Sequence, residues 1–128
     1  MKAKWSVLYY SKKNGTMPVK EYIEKLSLRE RAKTMAFIGL LEDRGPSLPR
    51  PYSDLLDDGI HELRIKLTGT QVRILYFFCY QNLIVLTNVF DKYSDEVPIS
   101  KIKLAKESRI DFLNRFKEED IRSNKNDL

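Results

Sequence analysis

The chain is poor in the residues that carry most side-chain chemistry. Among its 128 residues there are one cysteine, one histidine and one tryptophan. A single cysteine excludes an intrachain disulfide. Cys79 sits inside the apolar run YFFCY and reads as core filler, because a nucleophilic cysteine needs a nearby base and His61 is the only histidine. The same shortage excludes the Cys/His zinc sites, and no metal or other cofactor is expected. Long apolar runs are also missing. Nothing approaches the roughly 18 residues of a membrane span, and residues 1–10 lack the apolar segment of a secretory signal, so the expectation is a cytoplasmic protein that does not contact membrane.

What the chain has is charge and one domain's worth of apolar residues. At 42% hydrophobic content it can bury a single core. We expect one domain over residues 1–117 and a polar, frayed tail over 118–128. Lys and Arg number 23 against 18 Asp and Glu, a net charge of +5, which suits a polyanionic partner.

Periodicity divides the chain. Residues 4–10 alternate Trp5, Val7 and Tyr9 with Ser6, Leu8 and Tyr10, which predicts a strand buried on one face and partly buried on the other. Asn14-Gly15 stops it. A short helix follows from Thr16, with Pro18 in its first turn and Val19, Tyr22, Ile23 and Leu26 on one stripe. Ser27 and Glu30 form a capping-box pattern that opens a second helix, carrying Ala32, Met35, Ala36, Ile38 and Leu41 inward and stopping at Gly45-Pro46. With three prolines and Asp57-Asp58, residues 46–59 read as an irregular surface crossover.

Three strands come next. His61, Leu63, Ile65 and Leu67 share one face of the first, and Glu62, Arg64 and Lys66 the other. A turn at residues 68–70 leads into residues 71–80, where Arg73, Leu75, Phe77 and Cys79 oppose Val72, Ile74, Tyr76, Phe78 and Tyr80. Gln81-Asn82 predicts a tight hairpin with Asn82 at positive φ. Residues 83–90 are apolar almost throughout, as in a central strand covered on both sides. A last helix from Pro98 to about Phe116 buries Ile99, Ile102, Ala105, Phe112 and Phe116. Its outer side carries Lys101, Lys103, Lys106, Arg109, Arg115 and Lys117, and Lys101, Lys103, Lys106 and Arg109 are the candidate RNA contacts. The order β-α-α-β-β-β-α predicts an α+β domain, an antiparallel sheet with helices packed on it.

The strand "HELRIKL" and its successor "QVRILYFF" bring Arg64, Lys66 and Arg73 toward one side of a hairpin. Like charges opposed across strands repel, so their accumulation implies an anion between them; the alternative is a solvated sheet face partly compensated by Glu62. Lys92 and Tyr93 follow the last strand and can reach the same area. RNA cleavage without a metal needs a base for the ribose 2′-hydroxyl, cations for the phosphorane and a donor for the leaving oxygen. Arginine suits the second task, lysine among other cations the first, and tyrosine can exchange protons or stack on a base. The candidate catalytic set is therefore Arg64, Lys66, Arg73, Lys92 and Tyr93, with Arg73→Ala expected to spare the fold. Strand parity puts His61 with Leu63 and Ile65, away from Arg64, so it reads as structural.

These segments resemble a known family. "HELRIKLTGTQVRILYFF", "LIVLTNVFDKY" and "ISKIKLAKESRIDFL" after Pro98 are similar to the phage-derived HigB-like branch of the RelE/ParE toxins of bacterial toxin–antitoxin systems. The shared features are Glu-Leu-Arg, the arginine of Arg-Ile-Leu-Tyr, and a phenylalanine eight residues before the proline that opens a basic helix. The resemblance implies a RelE-like microbial RNase fold and a ribosome-dependent messenger RNA endoribonuclease that inhibits translation. It also implies a cognate antitoxin, of helix-turn-helix type, as partner. Arg64 and Lys66 would be the basic strand pair, Arg73 the phosphate-stabilising arginine and Lys92 the cation after the last strand. The chain departs from the family's lysine-rich segment at residues 91–97, where Tyr93 and Glu96 replace lysines. Pro98 stands where some relatives carry a tyrosine, which Tyr93 would replace from nearby. The competing readings are a ParE-like gyrase inhibitor and a degenerate homologue that only binds its antitoxin.

Overall fold

The computed structural model describes residues 5–121. Five strands and three helices follow the order β1 (Ser6–Tyr9), α1 (Pro18–Glu24), α2 (Leu28–Arg44), β2 (Ser53–Asp57), β3 (Ile60–Leu67), β4 (Thr70–Cys79), β5 (Leu83–Asp91) and α3 (Ile99–Arg115). The strands form one sheet in the order β1-β5-β4-β3-β2. Helices α1 and α2 cover one face and α3 the other, so this is an α+β domain with a sheet between two helical layers.

Local chemistry accounts for the helices. The Glu30 N–H donates to the Ser27 hydroxyl at 3.2 Å, the capping interaction that starts α2. Arg31 then reaches back from α2 and donates to the carbonyls of Ile23 at 3.3 Å and Glu24 at 2.7 Å, satisfying the end of α1. Helix α2 stops at Gly45, whose φ is +54°. A Cβ there would lie 2.2 Å from the Trp5 indole nitrogen, so glycine serves both the backbone angle and the seating of β1. α2 buries Ile38 and Leu41 as expected, together with Thr34, but Ala32, Met35 and Ala36 are exposed, Met35 touching the sheet through the Tyr9 hydroxyl on its sulfur.

The structure corrects the expected sheet in three places. It is mixed rather than antiparallel: β1 runs parallel to β5, with Val7 opposite Ile84 and Tyr9 opposite Leu86. The supposed crossover of residues 46–59 contains β2, which pairs antiparallel with β3 through Asp54 opposite Glu62. Their link is the two-residue turn Asp58-Gly59, both at positive φ (49° and 77°), the conformation an Asp-Gly hairpin favours. In the β4–β5 turn, positive φ falls on Tyr80 (57°) instead of Asn82. The Tyr80 hydroxyl donates to the Phe116 carbonyl at the end of α3, and that anchor holds the unusual backbone.

Two cores result. Toward α1 and α2, Val19, Ile23, Ile38 and Leu41 pack on Leu63, Ile65, Ile74 and Tyr76. Toward α3, Ala105 and Phe112 pack on Ile60, Leu75, Phe77 and Val85. Buried on both sides, β4 and β5 lose the polar alternation of a half-wet sheet. Ile99, expected on the buried stripe of α3, is 84% exposed because the first turn overhangs the sheet. Of the tail, residues 118–121 form a helical turn whose Ile121 packs on the second core; the rest lies outside the described residues. Cys79 lines that core as a free thiol, pushed up to about 11 by burial and therefore protonated at neutral pH.

His61 lies among the aromatics on the α1/α2 side, stacked on Tyr76 at 5.3 Å and edge-on to Phe78 at 5.1 Å. Burial lowers its pKa from 6.5, opposed by the carboxylate of Asp54.

Two predictions follow from this packing. Gly45→Ala forces a methyl into the Trp5 ring and strains φ, and should lower unfolding stability by at least about 2 kcal/mol in urea denaturation. For His61 the unfolded chain binds its proton first as pH falls, so part of the stability present above pH ~6.5 is lost on acidification below it. His61→Phe keeps the ring and should flatten that part of the stability curve relative to wild type; parallel curves would refute the assignment.

Candidate functional site

The register of β3 and β4 sets Leu63 opposite Ile74 and Ile65 opposite Val72 on the α1/α2 face. On the other face the same register sets Arg64 directly opposite Arg73 and Lys66 opposite Gln71. On β3 and β4 the core beneath α3 ends at Ile60 and Leu75, and on β5 it runs on to Phe90, opposite Arg73; on β3 the positions of this face from Glu62 to the Thr68-Gly69 turn are polar. The three expected cations of the hairpin therefore share one face, at the end of the sheet that α3 leaves open.

The anion implied by facing arginines is supplied by the chain itself. Glu62, whose side chain is 2% exposed, lies between them. Its Oε2 accepts from Arg64 Nε at 3.0 Å, and its Oε1 is 3.0 Å from Arg73 Nε. That second contact is an ion contact without a hydrogen bond, since neither Glu62 Oε1 nor Arg73 Nε makes one among the described residues. Arg73 is fixed instead by β4: Nη1 donates to the Val72 carbonyl at 3.2 Å and Nη2 to Gln71 Oε1 at 3.1 Å. Burial lowers the Arg73 pKa, with Glu62 opposing that shift. Arg64 Nη2 also reaches Asp54 Oδ2 on β2 at 3.2 Å, and Asp54 in turn pairs with Arg50 at 3.1 Å.

The two arginines differ in access. The Arg73 side chain is 7% exposed and that of Arg64 30%, with no hydrogen bond at Nη1 among the described residues. Arg73→Ala, expected to spare the fold, removes one of the two guanidiniums that face the buried Glu62 carboxylate and leaves it Arg64.

Lys66, Lys92 and Tyr93 meet elsewhere, around an open cleft of about 510 Å³ between the β3–β4 turn and the segment after β5. Leu67, Gly69, Thr70, Gln71, Ser94 and Asp95 complete its walls. Gly69, at φ +74°, makes the turn on one side. The Lys92 N–H donates to the Gln71 carbonyl at 2.7 Å and holds the other side against β4. Gln71 links the two halves of the site, lining the cleft while its side chain holds Arg73. Tyr93 is 89% exposed. Its hydroxyl is 3.5 Å from Asp91, whose other oxygen accepts from Tyr22 at 3.2 Å. Burial, with Asp91 adding to it, raises Tyr22 to about 12, so that hydroxyl keeps its proton.

The basic side of α3 is largely spent on internal pairs. Lys106 pairs with Asp57, and Arg109 with both the carboxylate and the carbonyl of Asp58, so the two clip the β2–β3 turn to the helix. Arg115 is bound to Asp111, which also accepts from Tyr10. Of the candidate RNA contacts, Lys103 remains exposed, and Lys101 lies over the Phe90 ring at 5.6 Å, near the open end of the sheet. Asn88 donates to the Lys101 carbonyl at 3.3 Å and fixes the start of α3 to β5.

The alternative in which Glu62 compensates the hairpin cations was legible from strand parity, whereas its burial between both arginines was not, and Asp54 was missed because β2 was not recognised. No cluster of three His, Cys, Asp or Glu side chains among the described residues is placed to hold a metal ion. No helix among them is long and apolar enough to cross a membrane.

Comparison with known proteins places this arrangement. No curated protein gives a significant match. The family described as phage derived protein Gp49-like (DUF891) matches residues 21–109, a span from α1 through Arg109 that takes in β3, β4, β5 and the cleft. That family is a RelE-like one, associated with the toxins of toxin–antitoxin systems. With more than half of its length matched, including every strand that shapes the open end of the sheet, the chain belongs to the Gp49-like family of phage-derived proteins.

Proposed function

We propose that this protein is the toxin of a type II toxin–antitoxin pair and cuts messenger RNA on the ribosome, at the open end of the sheet, by chemistry that needs no metal. The observation that carries the reading is the cleft lined by Lys66, Lys92 and Tyr93, with the partly exposed Arg64 two residues before Lys66 on the same strand face. In the proposed reaction the ribose O2′ attacks the adjacent phosphorus and the bond to O5′ breaks. One lysine amine takes the 2′ proton and the other ammonium returns one to O5′. Arg64, held by Glu62 and Asp54, offers its free Nη1 to the phosphate oxygens. Tyr93 stacks on a base. Lys101 and Lys103 contact ribosomal RNA from α3, a smaller footprint than the six cations of that helix suggest. The antitoxin is a cognate small protein, and a HigB-like mode of action is part of this proposal.

A second reading, an inhibitor that binds RNA or its antitoxin without cutting, is favoured by one observation: both hairpin arginines are paired to the chain's own carboxylates.

Controlled expression with transcript-end mapping separates the two. Lys66→Ala combined with Lys92→Ala should leave stability within about 1 kcal/mol of wild type, since Lys66 is exposed and Lys92 only half-buried. Cleavage of translated transcripts should fall at least about 100-fold. The salt dependence of RNA binding should flatten by about 1.4 in log–log slope, at roughly 0.7 per single-strand phosphate contact. Growth arrest with transcripts intact in the wild type would favour the second reading. Undiminished cutting by the double variant would remove the cleft from the mechanism. Arg73→Ala is a poor probe, because it removes a buried guanidinium that both contacts Glu62 and holds Gln71 in the cleft wall, so lost cutting would not separate chemistry from architecture.

A further inference from the structure

We propose that Glu62 is a positioning residue for RNA cleavage, acting through Arg64; this rests on the endonuclease reading above. The geometry is asymmetric. Glu62 accepts a well-directed hydrogen bond from Arg64 Nε at 3.0 Å and is also met by Arg64 Nη2, whereas its contact with Arg73 Nε, equally short, is poorly aligned. Arg73 has its own anchors on β4, the Val72 carbonyl and the Gln71 side chain, and stays in place without Glu62. Arg64 has no such reserve. Its other partner, Asp54, is shared with Arg50, whose side chain is 74% exposed. Without Glu62 the two guanidiniums also repel directly across the strand pair, and the one free to move is Arg64.

Binding and turnover should therefore respond in opposite senses. A carboxylate behind a phosphate-binding arginine lowers the local positive potential, so neutralising it favours capture of a polyanion. The same change loosens the fork that must meet the phosphate in one orientation, which slows the chemical step. A residue that only holds the fold together would move both together, in proportion to the folded fraction.

The test is a double-mutant cycle on the full chain. Binding of a fluorescein-labelled single-stranded RNA is read by anisotropy, and cleavage of a translated transcript by primer extension. Glu62→Gln should bind the RNA as tightly as wild type or several-fold tighter, while cutting at least 10-fold more slowly. In an Arg64→Ala background the added Glu62→Gln should change cutting by less than 2-fold, because its effect runs through Arg64. Should Glu62→Gln fail to fold, the cycle is run with Glu62→Asp, which keeps the charge but falls one methylene short of Arg64. Equal cutting by wild type and the Glu62 variant, a joint fall of binding and cutting, or a full 10-fold loss in the Arg64→Ala background each overturns the proposal. A wild-type chain that cuts nothing overturns the endonuclease reading itself, a result separate from these.

Discussion

The register of β3 against β4 is the constraint on which the rest depends. On one side it sets Leu63 against Ile74 and Ile65 against Val72, four fully buried side chains whose removal from water stabilises the α1/α2 core by several kcal/mol. A slip of one residue would turn that apolar set to the wrong face, so the register is firmly held. The opposite face has no freedom left: Arg64 must stand against Arg73. Glu62 supplies the counter-charge that two arginines opposed across the strand pair call for, and both guanidiniums reach it. The site's electrostatics are thus inherited from the core.

Which parts of this could be read from the residues follows from how local each cause is. The Ser27 cap, the stop at Gly45, the β3–β4 turn and the parity that separates His61 from Arg64 rest on neighbours a few positions apart, and all are found as expected. The β2 strand also had a local signal, Asp58-Gly59 between Leu55-Leu56 and Ile60, which the prolines upstream obscured. The parallel pairing of β1 with β5 had none. Strand direction there depends on which edge β1 joins after the meander is complete, and no periodicity in residues 5–10 encodes it. The Tyr80 backbone is likewise set by a partner 36 residues away.

Charge shows the same division. Counting Lys and Arg along α3 gives a basic surface, but Asp57 and Asp58 lie 49 and 51 residues from the cations they neutralise. Those two pairs fasten the β2–β3 turn to the helix. The available positive potential shifts to the other end of α3, where Lys101 and Lys103 border the uncovered sheet. Solvent screens exposed pairs of this kind, so their effect is on where charge is left over more than on stability.

A shared motif carries residue identities from one protein to another, while burial decides what those residues can do. Arg64 and Arg73 are equivalent by type and face, and differ in access: one keeps a free nitrogen at the surface, the other has its nitrogens turned to β4 and to a carboxylate beneath α3's edge. A largely buried guanidinium acts also through what it holds, and Arg73 holds Gln71, a wall of the cleft. Loss of activity on replacing Arg73 would therefore be the same whether it touched the phosphate or propped the wall. Arg64 and the two lysines, which solvent reaches, are the side chains whose replacement separates chemistry from architecture.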